Sequence, residues 1–434
     1  MYVSDSLNIN SDGHLTIGGL STVALAAEYG TPLYVMDEDK IRENCRSFKA
    51  SLEKFYEGNG TVTYASKAFC CKAICKIAME EGLGLDVVSA GELHTAEAVG
   101  FPPEKIFFHG NNKTAGELSS ALQYGVGRIV VDNLTELEVL SKMASAVGGK
   151  TANILLRIKP GIDAHTHDFI RTGQIDSKFG FALETGEAMQ AVKQALGTDN
   201  ICLKGIHCHI GSQIFDIAPF ELAAEVMLGF MADIKDETGV ELPELNLGGG
   251  FGIKYLPSQT PVPYETYMGR VSEAVHKACK QRRLALPRII VEPGRAIVGC
   301  EGITLYTVGA VKNIPNVRTY VSVDGGMADN PRYALYKAEY QAVVANKAAQ
   351  PCSETITVAG KCCESGDLIG EGMLTQEPKA GDILAILSTG AYNYAMASNY
   401  NRLPKPAVVM VKGGKARIVV KRQSLDELLQ DDLL

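Results

Sequence analysis

RIVVDNLTELEVLSKMASAVGGKTANILLRIKP, residues 128–160, reads as two apolar strands with one helix between them. The centre of RIVVDN (128–133) is β-branched, as a strand buried on both faces requires. Leu134, Leu137, Leu140 and Met143 then recur at three-residue steps, which gives a helix one apolar face. NILLRIKP (153–160) restores the strand texture. Strand, crossover helix, strand is the parallel unit. It recurs at TVTYAS (61–66), GLDVVS (84–89), KIFFHG (105–110), LKGIHCHIG (203–211), ELNLGGG (244–250) and RIIVEPG (288–294). Eight strands predict a closed (β/α)8 TIM barrel, although periodicity alone leaves a doubly wound open sheet possible. A further helix over DEDKIRENCRSFKASLEKF (37–55) precedes the first strand.

Past Glu292 the texture changes. GITLYTVGAV (302–311), RTYVSVDGG (318–326), YQAVVAN (340–346), ETITVAG (354–360) and DILAILS (382–388) follow without long helices. AVVMVKGGKARIVVKR (407–422) reads as a hairpin turning at Gly413–Gly414. The fold class expected is therefore α/β + β, a barrel with a C-terminal β-sandwich or β-barrel domain. The expected boundaries are an N-terminal segment, 1–31, joining the β domain, a barrel over 32–297 and the β domain over 298–434. TPLYVMD (31–37) is a candidate extra strand of the latter.

Composition narrows the function classes. The formal net charge is -8 and Lys and Arg form no stripe, which argues against binding a nucleic-acid backbone. No apolar run approaches the roughly 18 residues of a membrane span. MYVSDSLNIN carries no secretory pattern. Of eleven cysteines, Cys70–Cys71 and Cys362–Cys363 are adjacent, which suits a reducing cytoplasm better than a disulfide framework. CCKAIC (70–75) lacks a matching partner pair, so buried helix thiols are expected there and zinc is not.

A barrel gathers its chemistry at the C-terminal ends of its strands. There the sequence places Lys67, Asp86, His109, Asn111, Arg157, His207, His209, the triple glycine Gly248–Gly250, Glu292, Gly294 and Arg295. Glycines at Gly249 and Gly250 let backbone N–H groups approach an anion, and the position after a seventh strand suits a phosphate. HCHIGS (207–212) permits a metal, but no third ligand follows with motif spacing. An imidazole stacked on a flat ring, with Ser212 donating to a phosphate, is the other reading. Lys67, in VTYASKAF (62–69), is an ammonium in a charge-poor stretch. In a desolvated site its amine would lose basicity and could form a Schiff base with an aldehyde cofactor. Pyridoxal 5′-phosphate would need such an amine, a phosphate cradle, a stacking ring and an acid beside its pyridine nitrogen, for which Glu292 is the candidate.

YASKAF, DVVSAGEL, FHGNNKT, HTHDFIRTGQIDSKFG, HCHIGSQI, NLGGGFG, EPGR, DNPRYALY, CCESGD and GAYNYAMASNYN together resemble the landmarks of the diaminopimelate decarboxylase family. They are similar as well to the wider ornithine/arginine/diaminopimelate decarboxylase group. The resemblance runs from residue 64 past residue 400. It implies an alanine-racemase-type barrel, pyridoxal phosphate, a homodimer, and conversion of meso-diaminopimelate to L-lysine and carbon dioxide. Residue by residue, Lys67 resembles the Schiff-base lysine and His209 the stacking imidazole. Ser212, Gly250, Gly294 and Arg295 resemble phosphate contacts, and Tyr392 resembles a tyrosine reaching cofactor and substrate. Arg295, Arg332 and Tyr336 resemble a clamp on the substrate carboxylate, Glu364 the partner of its distal ammonium, and Cys363 the proton donor. Cys363 and Glu364 are implied to come from the neighbouring subunit. Phe69 stands where the family more often has asparagine. A sister decarboxylase acting on ornithine, arginine or a carboxylated polyamine, a racemase on the same barrel, and a non-catalytic carrier are the rival functions.

Overall fold

The structure, a computed structural model, describes residues 2–162 and 177–434. It divides into two compact units. One comprises Met1–Glu43, Ile253–Thr260 and Arg295–Leu434, the other Asn44–Gly252 and Pro261–Gly294.

The second unit is the closed barrel. Its strands are β1 (Gly60–Ala65), β2 (Gly84–Val87), β3 (Ile106–Phe108), β4 (Arg128–Val131), β5 (Ala152–Lys159), β6 (Ile201–His207), β7 (Glu244–Asn246) and β8 (Arg288–Val291). Each pairs in parallel with the next, and β8 pairs with β1, so the ring closes and no edge is left. Most strand residues are buried, because helices such as Lys72–Glu80 and Leu134–Ala146 cover the outer face. Several of those helices begin on side-chain caps. Ser89 and Asn133 accept from the N–H groups of Glu92 and Glu136, and Thr114 forms a capping box with Glu117. Phe107, Val130, Leu155 and Ile290 pack as one apolar cluster from four strands. Register places a polar row across the same face. Arg157 is level with His207, and His207 with Asn246. The ring thus has an apolar plug and, toward the strands' C-terminal ends, a layer of polar side chains.

The other unit is β-rich. The strands read from sequence all form, together with Leu33–Asp37 from the TPLYVMD segment and Leu368–Thr375, for which no expectation was made. Leu33–Asp37 lies between Gly302–Ile314, antiparallel, and Ala407–Lys412, parallel. Leu368–Thr375 escapes a period-2 reading because two glycines, Gly370 and Gly372, interrupt it. Residues alternate between two cores. Ile303 and Leu305 enter one cluster while Tyr306 and Val308 enter the other, so the central strand is buried on both faces. A small three-stranded antiparallel sheet, Leu7–Ile9, Leu15–Ile17 and Leu20–Ser21, belongs to this unit.

Candidate active site

Glu292 follows β8 and is the hub of the barrel's polar layer. Its Oε1 accepts from Asn246 Nδ2 at 2.6 Å and lies 3.1 Å from His109 Nε2; its Oε2 lies 3.2 Å from His207 Nε2. His109 Nε2 is also 3.8 Å from Asp86 Oδ1. All are buried. Burial works against the Glu292 charge, but His109 and His207 outweigh it and hold the carboxyl well below its usual range. Burial likewise opposes charge on His109, yet the Glu292 and Asp86 carboxylates hold it up to about 9. His207 goes the other way, pushed down to about 4 by burial. Burial, with the Glu292 charge, raises Asp86 to about 6. The layer therefore contains an ionised carboxylate braced by one charged and one neutral imidazole. The His109, His207 and Glu292 ligand atoms lie within 4.8 Å of one another, a spacing a cation could bridge, but His207 Nε2 is already hydrogen-bonded to Glu292 at 3.2 Å and His109 Nε2 stands in an ion-pair contact at 3.1 Å.

β6 ends at His207, and beyond it the half-buried His209 uses Nδ1 to accept from Gly249 N at 3.2 Å. Burial and the nearby Lys67 charge hold this imidazole neutral, its pKa well below the usual value. The glycine run makes close approaches. A Cβ at Gly249 would stand 2.2 Å from Glu292 O, and one at Gly250, where φ is +106°, 2.4 Å from Gly211 O. A Cβ at Gly294 would reach 3.0 Å from Ala65 O. Ser212 is half-buried after the same strand end.

Lys67 sits in a single turn, Ser66–Ala68, directly after β1, and is exposed. The desolvated lysine expected from sequence is not what this chain presents; the residues flanking it are buried, the side chain is not. Phe69 is buried and its carbonyl accepts from Tyr64 Oη at 2.8 Å, so the aromatic at that position is packed. Of CCKAIC, only Cys75 is a buried helix thiol; Cys70 and Cys71 precede the helix and are half-buried. Arg157 lies 4.0 Å from Asp132 Oδ1, with its guanidinium 4.0 Å from the Phe179 ring centroid. Residues 165–176 of the HTHDFIRTGQIDSKFG segment lie outside the described residues.

The β-rich unit holds the remaining candidates in two groups. In the first, Arg295 and Arg332 are both buried and both donate to the Tyr255 hydroxyl, Arg332 at 3.0 Å. Arg332 also donates to Tyr340 Oη at 2.8 Å, and Arg295 lies 4.7 Å from the Tyr392 ring centroid. Arg332 and Tyr336 occupy the ends of the helix Arg332–Tyr336, but Arg332 is buried and makes no surface pair. In the second, Cys363 and Glu364 are exposed while Cys362 is buried, its thiol pushed up to about 11 by burial and Asp367. Sequence reasoning missed Tyr255 and Tyr340, which no spacing pattern marks. It noted His109 and His207 as strand-end residues without assigning them to Glu292.

The donor set fits pyridoxal phosphate: a reachable primary amine, an ionised carboxylate for a ring N–H, a neutral imidazole fixed beside it, and a glycine loop without side chains. Residues 38–299 match the family model described as "Pyridoxal-dependent decarboxylase, pyridoxal binding domain". The chain is 50% identical to the diaminopimelate decarboxylase of Bacillus methanolicus, covering 98% of each chain. It is 49% identical to that of Bacillus subtilis (strain 168), covering all of this chain and 98% of the relative. Among solved structures, the M. jannaschii diaminopimelate decarboxylase in co-complex with L-lysine superposes with a TM-score of 0.91 at 34% identity, over 100% of this chain and 99% of that one.

Proposed function

The chain belongs to the diaminopimelate decarboxylase family, and from this premise we propose how its residues divide the work of converting meso-2,6-diaminopimelate to L-lysine and carbon dioxide. It is a pyridoxal-phosphate-dependent carboxy-lyase of lysine biosynthesis. Lys67 is the covalent anchor of the cofactor. Glu292 receives the ring N–H, with His109 and His207 supporting its charge and Asp86 helping to keep His109 protonated. His209 faces the ring, and Ser212, Gly249, Gly250, Gly294 and Arg295 hold the phosphate, with Tyr392 reaching both cofactor and substrate. When bound, the cofactor supplies an electron sink for the pair left as the carboxylate departs. The observation that carries this division is the clasp of two imidazoles and an amide on Glu292, since a carboxylate held ionised in a buried layer is what a protonated ring nitrogen requires.

Arg295, Arg332 and Tyr336 grip the carboxylate that is retained, because a guanidinium can take a carboxylate in two parallel bonds. Glu364 pairs with the distal ammonium, and Cys363 delivers the proton that replaces the lost carboxylate. We place Cys363 and Glu364 in the neighbouring subunit's site of a homodimer; their exposure in the single chain supports this. We place the protein in the cytoplasm, which its eleven free cysteines support. No helix among the described residues is long and apolar enough to cross a membrane.

A carbon dioxide release assay with meso-diaminopimelate and added pyridoxal phosphate, with lysine identified as product, tests the reaction. Equal release from ornithine or arginine would overturn the substrate assignment, and no release from any of the three would overturn the activity.

A further inference from the structure

The SNYN stretch (398–401) ends a motif singled out in the sequence but given no role by the readings above. Its last two residues reach the Cys363–Glu364 loop. Cys363 N donates to Asn401 Oδ1 at 2.7 Å, and Tyr400 Oη donates to Glu364 Oε2 at 3.3 Å. The preceding amide is held separately. Cys362 N donates to Oδ2 of the buried Asp367 at 2.7 Å, while Asp367 Oδ1 accepts from Met327 N at 2.5 Å. Glycine makes room for that carboxylate, since a Cβ at Gly326 or Gly360 would come within 2.5 or 2.2 Å of it. Two successive amides, 362 and 363, are thus tied to side chains, one from the loop's own Asp367 and one from the distant Asn401.

Asn401 is itself fixed. Its φ of +52° is a left-handed conformation that asparagine tolerates better than most residues. Asn399 Nδ2 bonds Leu403 O at 2.9 Å and Gln423 Oε1 at 2.6 Å, and Ser398 N bonds Ala328 O at 2.8 Å. An exposed loop thiol otherwise samples many directions, and a proton donor acts only from one.

We propose that Asn401 is a positioning residue for Cys363, fixing the backbone from which the thiol is presented, with Asp367 as the second, buried anchor. The inference rests on Cys363 being the proton donor. It acts on the chain's own loop and not on the cofactor.

The test uses full-length, cofactor-loaded protein and three variants. Asn401→Gly keeps the left-handed backbone and removes the acceptor; Asn401→Asp keeps the acceptor; Cys363→Ala controls for the donor itself. Asn401→Gly should lower kcat by roughly tenfold with little change in KM, while its melting temperature and cofactor absorbance match wild type. Asn401→Asp should recover kcat to within about threefold of wild type. Wild-type kcat in Asn401→Gly, equal loss in the Gly and Asp variants, or a fall in melting temperature that accounts for the loss would each overturn the proposal. If Cys363→Ala keeps wild-type kcat, the proton-donor reading fails and this one with it. If Cys363→Ala is slow and Asn401→Gly is not, only the positioning role is lost.

Discussion

At Glu292 two imidazoles and an amide surround one carboxylate, and the consequences for pH follow from their signs. His109 is held up to about 9 against an ordinary value near 6.5, so the stability it contributes is complete below pH 6.5 and is lost as pH rises through 9. Glu292 is held well below its ordinary 4.5, so its contribution is present above that value and is lost only as pH falls further. A shift of this size on a buried group is worth on the order of a few kcal/mol. We therefore expect wild-type protein to lose melting temperature between pH 6.5 and 9, and His109→Asn to show a flatter alkaline limb. Identical slopes in the two proteins would mean that the Glu292 and Asp86 pairing is not what holds the proton on His109. The identities of Glu292 and His109 were legible from strand ends alone. Their partnership was not, because they stand 183 positions apart in the chain and only closure brings β3 and β8 to one centre.

Among the elements, the loop from Leu247 to Gly252 shows why glycine runs can be read as sites and yet be demanded by packing. Gly249 and Gly250 lie so close to neighbouring carbonyls that an added Cβ would stand only 2.2 and 2.4 Å from their oxygens. Phe251 then closes the loop against Phe220, with ring centroids 5.5 Å apart and planes 12° from parallel, and stands edge-on to Tyr267 at 4.6 Å. These contacts fix the direction of the loop's amides. Gly250→Ala combines a positive φ with a backbone clash and should cost about 2 kcal/mol, seen as a lower melting temperature and weaker binding of pyridoxal phosphate in a spectral titration. Unchanged affinity in a folded variant would separate this loop from the phosphate.

At the scale of the whole molecule, the proposed dimer makes a quantitative prediction. If Lys67 and Cys363 of one site come from different subunits, a Lys67→Ala chain and a Cys363→Ala chain can complement each other. Random exchange at equal amounts makes half the dimers mixed, and each mixed dimer has one intact site. Activity should therefore return to about a quarter of wild type after the two inactive proteins are unfolded and refolded together. No recovery, with dimers present by light scattering, would place both residues in the same chain's site.

The order of strands and helices, the change to a β-rich texture after Glu292, and the choice of Lys67, His209, Glu292 and the glycine run as candidates all came from the sequence, because period, turn residues and charge at strand ends are local properties. The family motifs extended that reading to Arg332, Cys363 and Glu364. Ring closure, the two guanidiniums on Tyr255 and the Asn401–Cys363 bond were decided only in three dimensions. So was the inward aim of His207: a β-bulge between Leu203 and Gly205 shifts the register of β6, so strict alternation from Leu203 would have assigned the wrong face. Each of these depends on contacts between residues far apart in the chain, and no local pattern encodes such a contact.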